Sequence, residues 1–172
     1  AEMGMGTLII FIAMILVAAI AASVLISTTG SLQNKALLTG KATTQEVGTA
    51  LSTIEIYGED GTNQNVSYWY QIVKLSAGSD PMRFTDTLLY MSLDDMTGSY
   101  RYNTSITCSN SSSLDTSSGF GVAYQIEGTS YKDGYLNKVD VVKLCFKSPR
   151  DVLEGERFKI TIIPMIGSSL AV

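Results

Sequence analysis

Residues 3–34, MGMGTLIIFIAMILVAAIAASVLISTTGSLQN, contain no charged side chain, and from Leu8 to Ile26 the only polar residue is Ser23. A helix over Leu8 to Ile26 would be about 28 Å long at roughly 1.5 Å per residue, enough to cross the hydrocarbon of a bilayer. It is too long for the core of a secretory signal peptide, and no Lys or Arg precedes it, so a cleavable signal is not the expected reading. The chain opens on Ala1 and not on Met, and we expect an upstream segment to have been removed. Leu8, Ile9, Ile10, Phe11, Ile12, Met14, Ile15, Leu16, Val17, Ile20, Val24, Leu25 and Ile26 would each cost about 2 kcal/mol if left in water. They must lie in lipid or in protein.

Smaller residues interrupt this bulk. Ala13, Ala18, Ala19, Ala21, Ala22 and Ser23 include the pairs Ala18/Ala22 and Ala19/Ser23 at a spacing that lets two helix backbones approach closely. Two readings stand at this point: a single-pass anchor that tolerates alanine, or a helix that packs against copies of itself. The run lacks the Lys/Arg cluster or aromatic belt that usually closes an anchor, and its first following charge is Lys35. Leu37, Gly40, Thr44, Val47, Leu51 and Ile54 then recur at spacings of three and four, which predicts one helix from about Gly4 to about Tyr57, roughly 80 Å long. Residues 1–58 are accordingly expected to form a helical segment and residues 59–172 a separate outer domain. The stretch Gly58 to Asn65 (GEDGTNQN) carries the turn-forming residues that separate them.

Beyond Asn65 the period falls to two. Alternation runs through Tyr100 to Cys108, Phe120 to Glu127 and Phe158 to Ile163, and further strand-like runs cover Val66 to Leu75, Thr87 to Leu93 and Lys138 to Lys147. The first and last of these three are partly apolar on both faces. Short strands separated by Gly, Ser, Asp and Asn predict an antiparallel sandwich of immunoglobulin-like type, with an open barrel as the alternative. The fold class expected is therefore α+β.

Composition excludes several functions. Net charge is -4, with 12 basic and 16 acidic residues and no basic run, so nucleic acid is a poor partner. There is no histidine, which removes the commonest general base and metal ligand. Asp94-Asp95 and Glu59-Asp60 do not follow a calcium-loop pattern and read as turn acids. No catalytic residues, cofactor or metal are expected, and an enzyme ranks last among the readings.

Three sequons occur at Asn65, Asn103 and Asn110, and at least one is expected to carry a glycan. Cys108 shares parity with the apolar face of its expected strand and Cys145 with the more polar face of its own. They could form a disulfide only if a strand shifted by a bulge, and otherwise would be two half-buried thiols.

The run from Gly4-Met5-Gly6-Thr7-Leu8-Ile9-Ile10-Phe11-Ile12-Ala13-Met14 onward to Ile26 closely resembles the mature N-terminus of archaellins, the archaeal flagellins. Val73 to Ser92 and Glu156 to Ser168 resemble, more loosely, that family's inner strands and its closing strand. The resemblance implies a subunit whose short basic leader is cut by a prepilin-peptidase-like enzyme, leaving Ala1 first. It also implies a type IV pilin-like helix that waits in the membrane and then packs with other copies in a helical filament. That filament is rotated for motility by a membrane-embedded assembly and motor complex, outside the cell. The alternatives are an adhesion pilin of the same superfamily and, in a different class, a membrane-anchored ectodomain that never polymerises.

Overall fold

The computed structural model describes residues 2–60, 65–109, 111–116 and 118–172. The chain divides into two units, 1–43 and 44–172.

Helix α1 spans Glu2–Gly48 without a break. Its first half has no Pro and is dominated by Ala, Leu, Ile and Met, most of which lose little on entering a helix. Thr7 and Thr28 fold their hydroxyls back onto their own helix, Thr7 Oγ1 donating to the Gly4 carbonyl at 3.0 Å and Thr28 Oγ1 to that of Val24 at 2.8 Å. Neither hydroxyl needs water.

The helix ends nine residues or so earlier than the periodicity predicts. Gly48 weakens it, and Ser79 replaces the lost helical partners, accepting from Ala50 N at 3.0 Å and donating to the carbonyls of Ala50 and Gly48. Leu51 and Ile54, read in sequence as a continuation of the helical stripe, belong instead to strand β1 (Leu51–Asp60). A three-to-four spacing across so few residues does not distinguish helix from strand. The decision falls to pairing: β1 lies antiparallel to β2 (Val66–Leu75), with Leu51 opposite Leu75 and Tyr57 opposite Tyr70. Gly58 and the two residues after it are strand, and the rest of the expected turn, 61–64, lies outside the described residues.

The remaining strands are β3 (Met82–Arg83), β4 (Thr87–Leu93), β5 (Thr97–Arg101), β6 (Phe120–Ile126), β7 (Tyr135–Leu136), β8 (Val141–Val152), β9 (Phe158–Pro164) and β10 (Leu170–Ala171). One four-stranded sheet runs β1-β2-β8-β6 and a second β10-β9-β4-β5, every ladder antiparallel, while β3 pairs with β7. Alternation on β4 buries Thr87, Leu89, Met91 and Leu93 and turns Leu88, Tyr90 and Ser92 outward. These meet Trp69, Val73, Val142, Leu144 and Phe146 from the other sheet, with Phe84, Phe120, Ile160 and Ile162, in one core. The second unit is thus a sandwich of two antiparallel sheets.

Strand alternation does not extend from Tyr100 to Cys108 as the sequence predicts. The ladder stops at Arg101, and the chain turns back over the outer face of the first sheet, ending in the short helix α2 (Ser112–Thr116). Ile106, Cys108 and Leu114 from this excursion cover Tyr70 and Cys145 in a second, smaller core. That cover explains why β2 and β8 are apolar on both faces.

Candidate assembly site

Each helix residue expected to mediate assembly, Leu8, Ile9, Phe11, Ile12, Ala13, Met14, Ile15, Leu16, Val17, Ala18, Ala19, Ala22 and Leu25, is exposed on α1. Mean hydropathy reaches 3.1 over the most apolar window of the helix, and none of that window is buried within the chain. Side chains around the whole circumference are apolar here, so no polar face is available to meet water. A helix of that kind is stable only inside lipid or protein.

The surface of α1 is not smooth. Ile10, Met14 and Val17 stand around Ala13, Ala18 and Ala21 to form a shallow apolar groove. The six fall at helical spacings of three and four and so share one face. A groove floored by alanine accepts the ridge of a second helix at close range. Ala18 belongs to an expected small-residue pair; Ile10 and Ala21 are expected in the apolar run but fall outside the pairs Ala18/Ala22 and Ala19/Ser23. Their signal is the i, i+3, i+4, i+7 series that starts at Ile10, which counting Ala pairs alone misses.

The candidate modification sites lie in the second unit. Asn65 and Asn103 are half-buried, and Asn110 lies outside the described residues. Asn103 Oδ1 accepts from Ser105 N at 2.9 Å, closing a local turn over its own sequon, while Nδ2 donates to the Ser118 carbonyl at 3.4 Å.

Cys108 and Cys145 are joined as a disulfide, with their Cα atoms 5.5 Å apart. No strand shift is needed to bring them together, contrary to the reading from parity. Cys108 is not on a strand at all, and it approaches Cys145 from the loop lying over the sheet. Gly121, opposite Cys145 on β6, makes room: a Cβ there would lie 2.6 Å from Ile106 Cγ2 and 2.9 Å from the Cys145 sulfur.

Charge pairs tie loops to β8. Asp115 accepts from Lys147 at 2.6 Å and from the Tyr68 hydroxyl at 2.9 Å, and these bonds hold its carboxyl below the usual aspartate range. Arg150 bridges Asp95 and Glu156 and holds both carboxyls below their ordinary values. Tyr70 is pushed up to about 12 by burial and by its hydrogen bond to Glu59, and Tyr100 to about 12 by burial alone. Among the described residues no three His, Cys, Asp or Glu side chains gather as a metal site.

Comparison with known proteins follows the same lines. Flagellin B1 of Methanocaldococcus jannaschii is 39% identical over 157 residues, covering 83% of this chain and 72% of the relative. Flagellin B1 of Thermoplasma volcanium is 42% identical over 107 residues, covering 59% of this chain and 43% of the relative; the match thus spans less than half of that protein's length. In fold, the chain is similar to the archaeal flagellum of Methanospirillum hungatei strain JF1, with a TM-score of 0.73 at 17% identity, over 98% of this chain and 90% of that one. The model of the archaeal-type flagellin family matches residues 1–172, helix and sandwich together, and the chain belongs to that family.

Proposed function

We propose that this chain is a structural subunit of the archaeal swimming filament, polymerising through α1 into a helical core and turning its sandwich outward, outside the cell. One observation carries the reading: a helix uncharged from Met3 to Asn34 and apolar on every side finds no cover within its own chain. Copies of the same helix, each with an alanine-floored groove, supply that cover. Before assembly the bilayer does so, which the length from Leu8 to Ile26 allows.

In this reading the subunit performs no catalysis. Its partners are other copies, a prepilin-peptidase-like processing enzyme, and the membrane assembly and motor complex that rotates the filament. Asn65, Asn103 and Asn110 are the proposed glycan attachment points, on a surface tied by the Cys108–Cys145 bond. An oxidising exterior preserves such a bond.

The test is cryo-electron microscopy of filaments sheared from cells, beside cells carrying Val17→Asp. Val17 is 67% exposed in the single chain, so the substitution leaves the sandwich untouched. A carboxylate at the middle of an apolar helix costs about 3 kcal/mol in lipid and would be repeated in every subunit. We expect the native chain in the filament density and no filaments from the variant. Normal filaments from the variant, or native filaments built from another protein while this chain stays in the membrane, would refute the reading and leave an anchored ectodomain.

A further inference from the structure

An apolar cleft of about 290 Å³ opens in the outer unit beside the residues that end α1, Gln45 and Thr49. Met82, Tyr135, Pro164, Met165 and Ile166 line it together with Asp80, Arg83 and Asp86. Met165 and Ile166 are 77% and 50% exposed, a large apolar loop tip left in water. The loop is fixed in that position. Ser168 N donates to the Thr49 carbonyl at 2.9 Å, and Gly167, at φ +115°, packs so closely that a Cβ would lie 2.6 Å from the same oxygen. Arg83 lies over the Tyr135 ring at 5.4 Å, and no ion pair among the described residues engages Asp80 or Asp86.

The complementary surface is on α1 itself. Leu38 is 70% exposed, and Lys35 and Lys41 flank it at three residues on either side, so the three span about 120° of the helix circumference with the cations about 9 Å apart along the axis. This face presents an apolar knob between two positive charges. The cleft presents an apolar seat carrying two carboxylates, Asp80 and Asp86, and one cation, Arg83, which is already placed over the Tyr135 ring.

We propose that the cleft beside the end of α1 seats the Lys35-Leu38-Lys41 face of α1 from a second copy of the chain. The inference rests on the filament reading above. If α1 forms the core, the residues that end α1 must adjoin that core in every subunit, and the cleft adjoins them. The apolar contact continues the α1 interface onto the sandwich, and the two charge pairs fix which part of the neighbouring helix enters.

The test uses the full chain, expressed in archaeal cells lacking their own filament subunits. Asp80→Lys with Asp86→Lys is expected to cut sheared filament mass by about tenfold, from two lost pairs and two like-charge contacts. Adding Lys35→Asp and Lys41→Asp to the same chain should restore it. Filaments of normal yield from the first variant, or no recovery in the second, overturn the proposal. A second measurement is independent of folding in those variants: filaments of Leu38→Cys/Met165→Cys, treated with a thiol-reactive bismaleimide, should give a ladder of multimers on a reducing gel. Cross-linked monomer alone, or no cross-link, overturns it. Val17→Asp separates the two levels, because filaments that survive it sink the core reading, whereas its loss of filaments with no Leu38–Met165 ladder sinks only the seat.

Discussion

Replacing both Cys108 and Cys145 by alanine should lower the stability of the sandwich by about 4 kcal/mol without changing its fold. The bond closes a loop with a sequence separation of 37 residues. Constraining a loop of that length removes about 13 cal/mol/K of entropy from the unfolded chain, or about 3.8 kcal/mol at 25 °C. Alanine is the right replacement because Cys108 is 5% and Cys145 0% exposed, and serine would bury a hydroxyl without a partner. The assay is guanidinium unfolding of the full chain in detergent, followed by tryptophan fluorescence. Trp69 is the only tryptophan and is buried against Phe158, ring centres 4.2 Å apart, so its emission reports the sandwich core. With a slope of about 4 kcal/mol per molar denaturant, the midpoint should fall by about 1 M. Reductant should move the native chain by a similar amount and leave the variant where it is. A midpoint shift below about 0.3 M, or a variant that still responds to reductant, would refute the account of the clasp.

The excursion over the first sheet supplies a second prediction. Gly121→Val should undock Ile106 and cost about 2 kcal/mol, read as a lower unfolding midpoint together with faster reduction of the disulfide. Acid should loosen the loops around Arg150. Asp95 and Glu156 are lowered in the folded chain from 3.8 and 4.5, so their contribution is fully present above those ordinary values and is lost as pH falls below them through the lower folded ones. Arg150→Ala should flatten that part of the pH profile, and an unchanged profile in thermal melts at pH 3 to 6 would count against the pairing. Tyr70 and Tyr100, raised from 10.0 to about 12, are stabilised as neutral phenols below pH 10 and should lose that contribution as pH rises toward 12. Ultraviolet titration of Tyr100→Phe should show one fewer late-titrating phenol than the native chain.

Much of this architecture was legible in the sequence because it is written in local periodicity. The uncharged run from Met3 to Asn34 can only be a helix destined for an apolar surrounding, since a helix satisfies its own backbone. The limits of β2 and β4 followed from strand-like apolar runs and flanking turn residues. The likeness of Gly4 to Ile26 to archaellins carried the expected assembly role, and the helix residues expected to serve it are all exposed in the single chain.

What the sequence left open was decided by contacts between distant residues. The end of α1 depends on Ser79, which supplies hydrogen bonds to Gly48 and Ala50 from some thirty positions away, and on β2, which recruits residues 51–60 into a ladder. No local spacing encodes either partner. The end of β5 and the meeting of the cysteines depend on Gly121, whose missing side chain lets the loop carrying Ile106 and Cys108 lie against Cys145. Parity assigned the two thiols to opposite faces because it assumed both were on strands. Helix and strand are chosen by neighbours a few residues apart, whereas the end of an element and the cover over a sheet are chosen by whatever part of the chain arrives there, and only the folded structure contains that information.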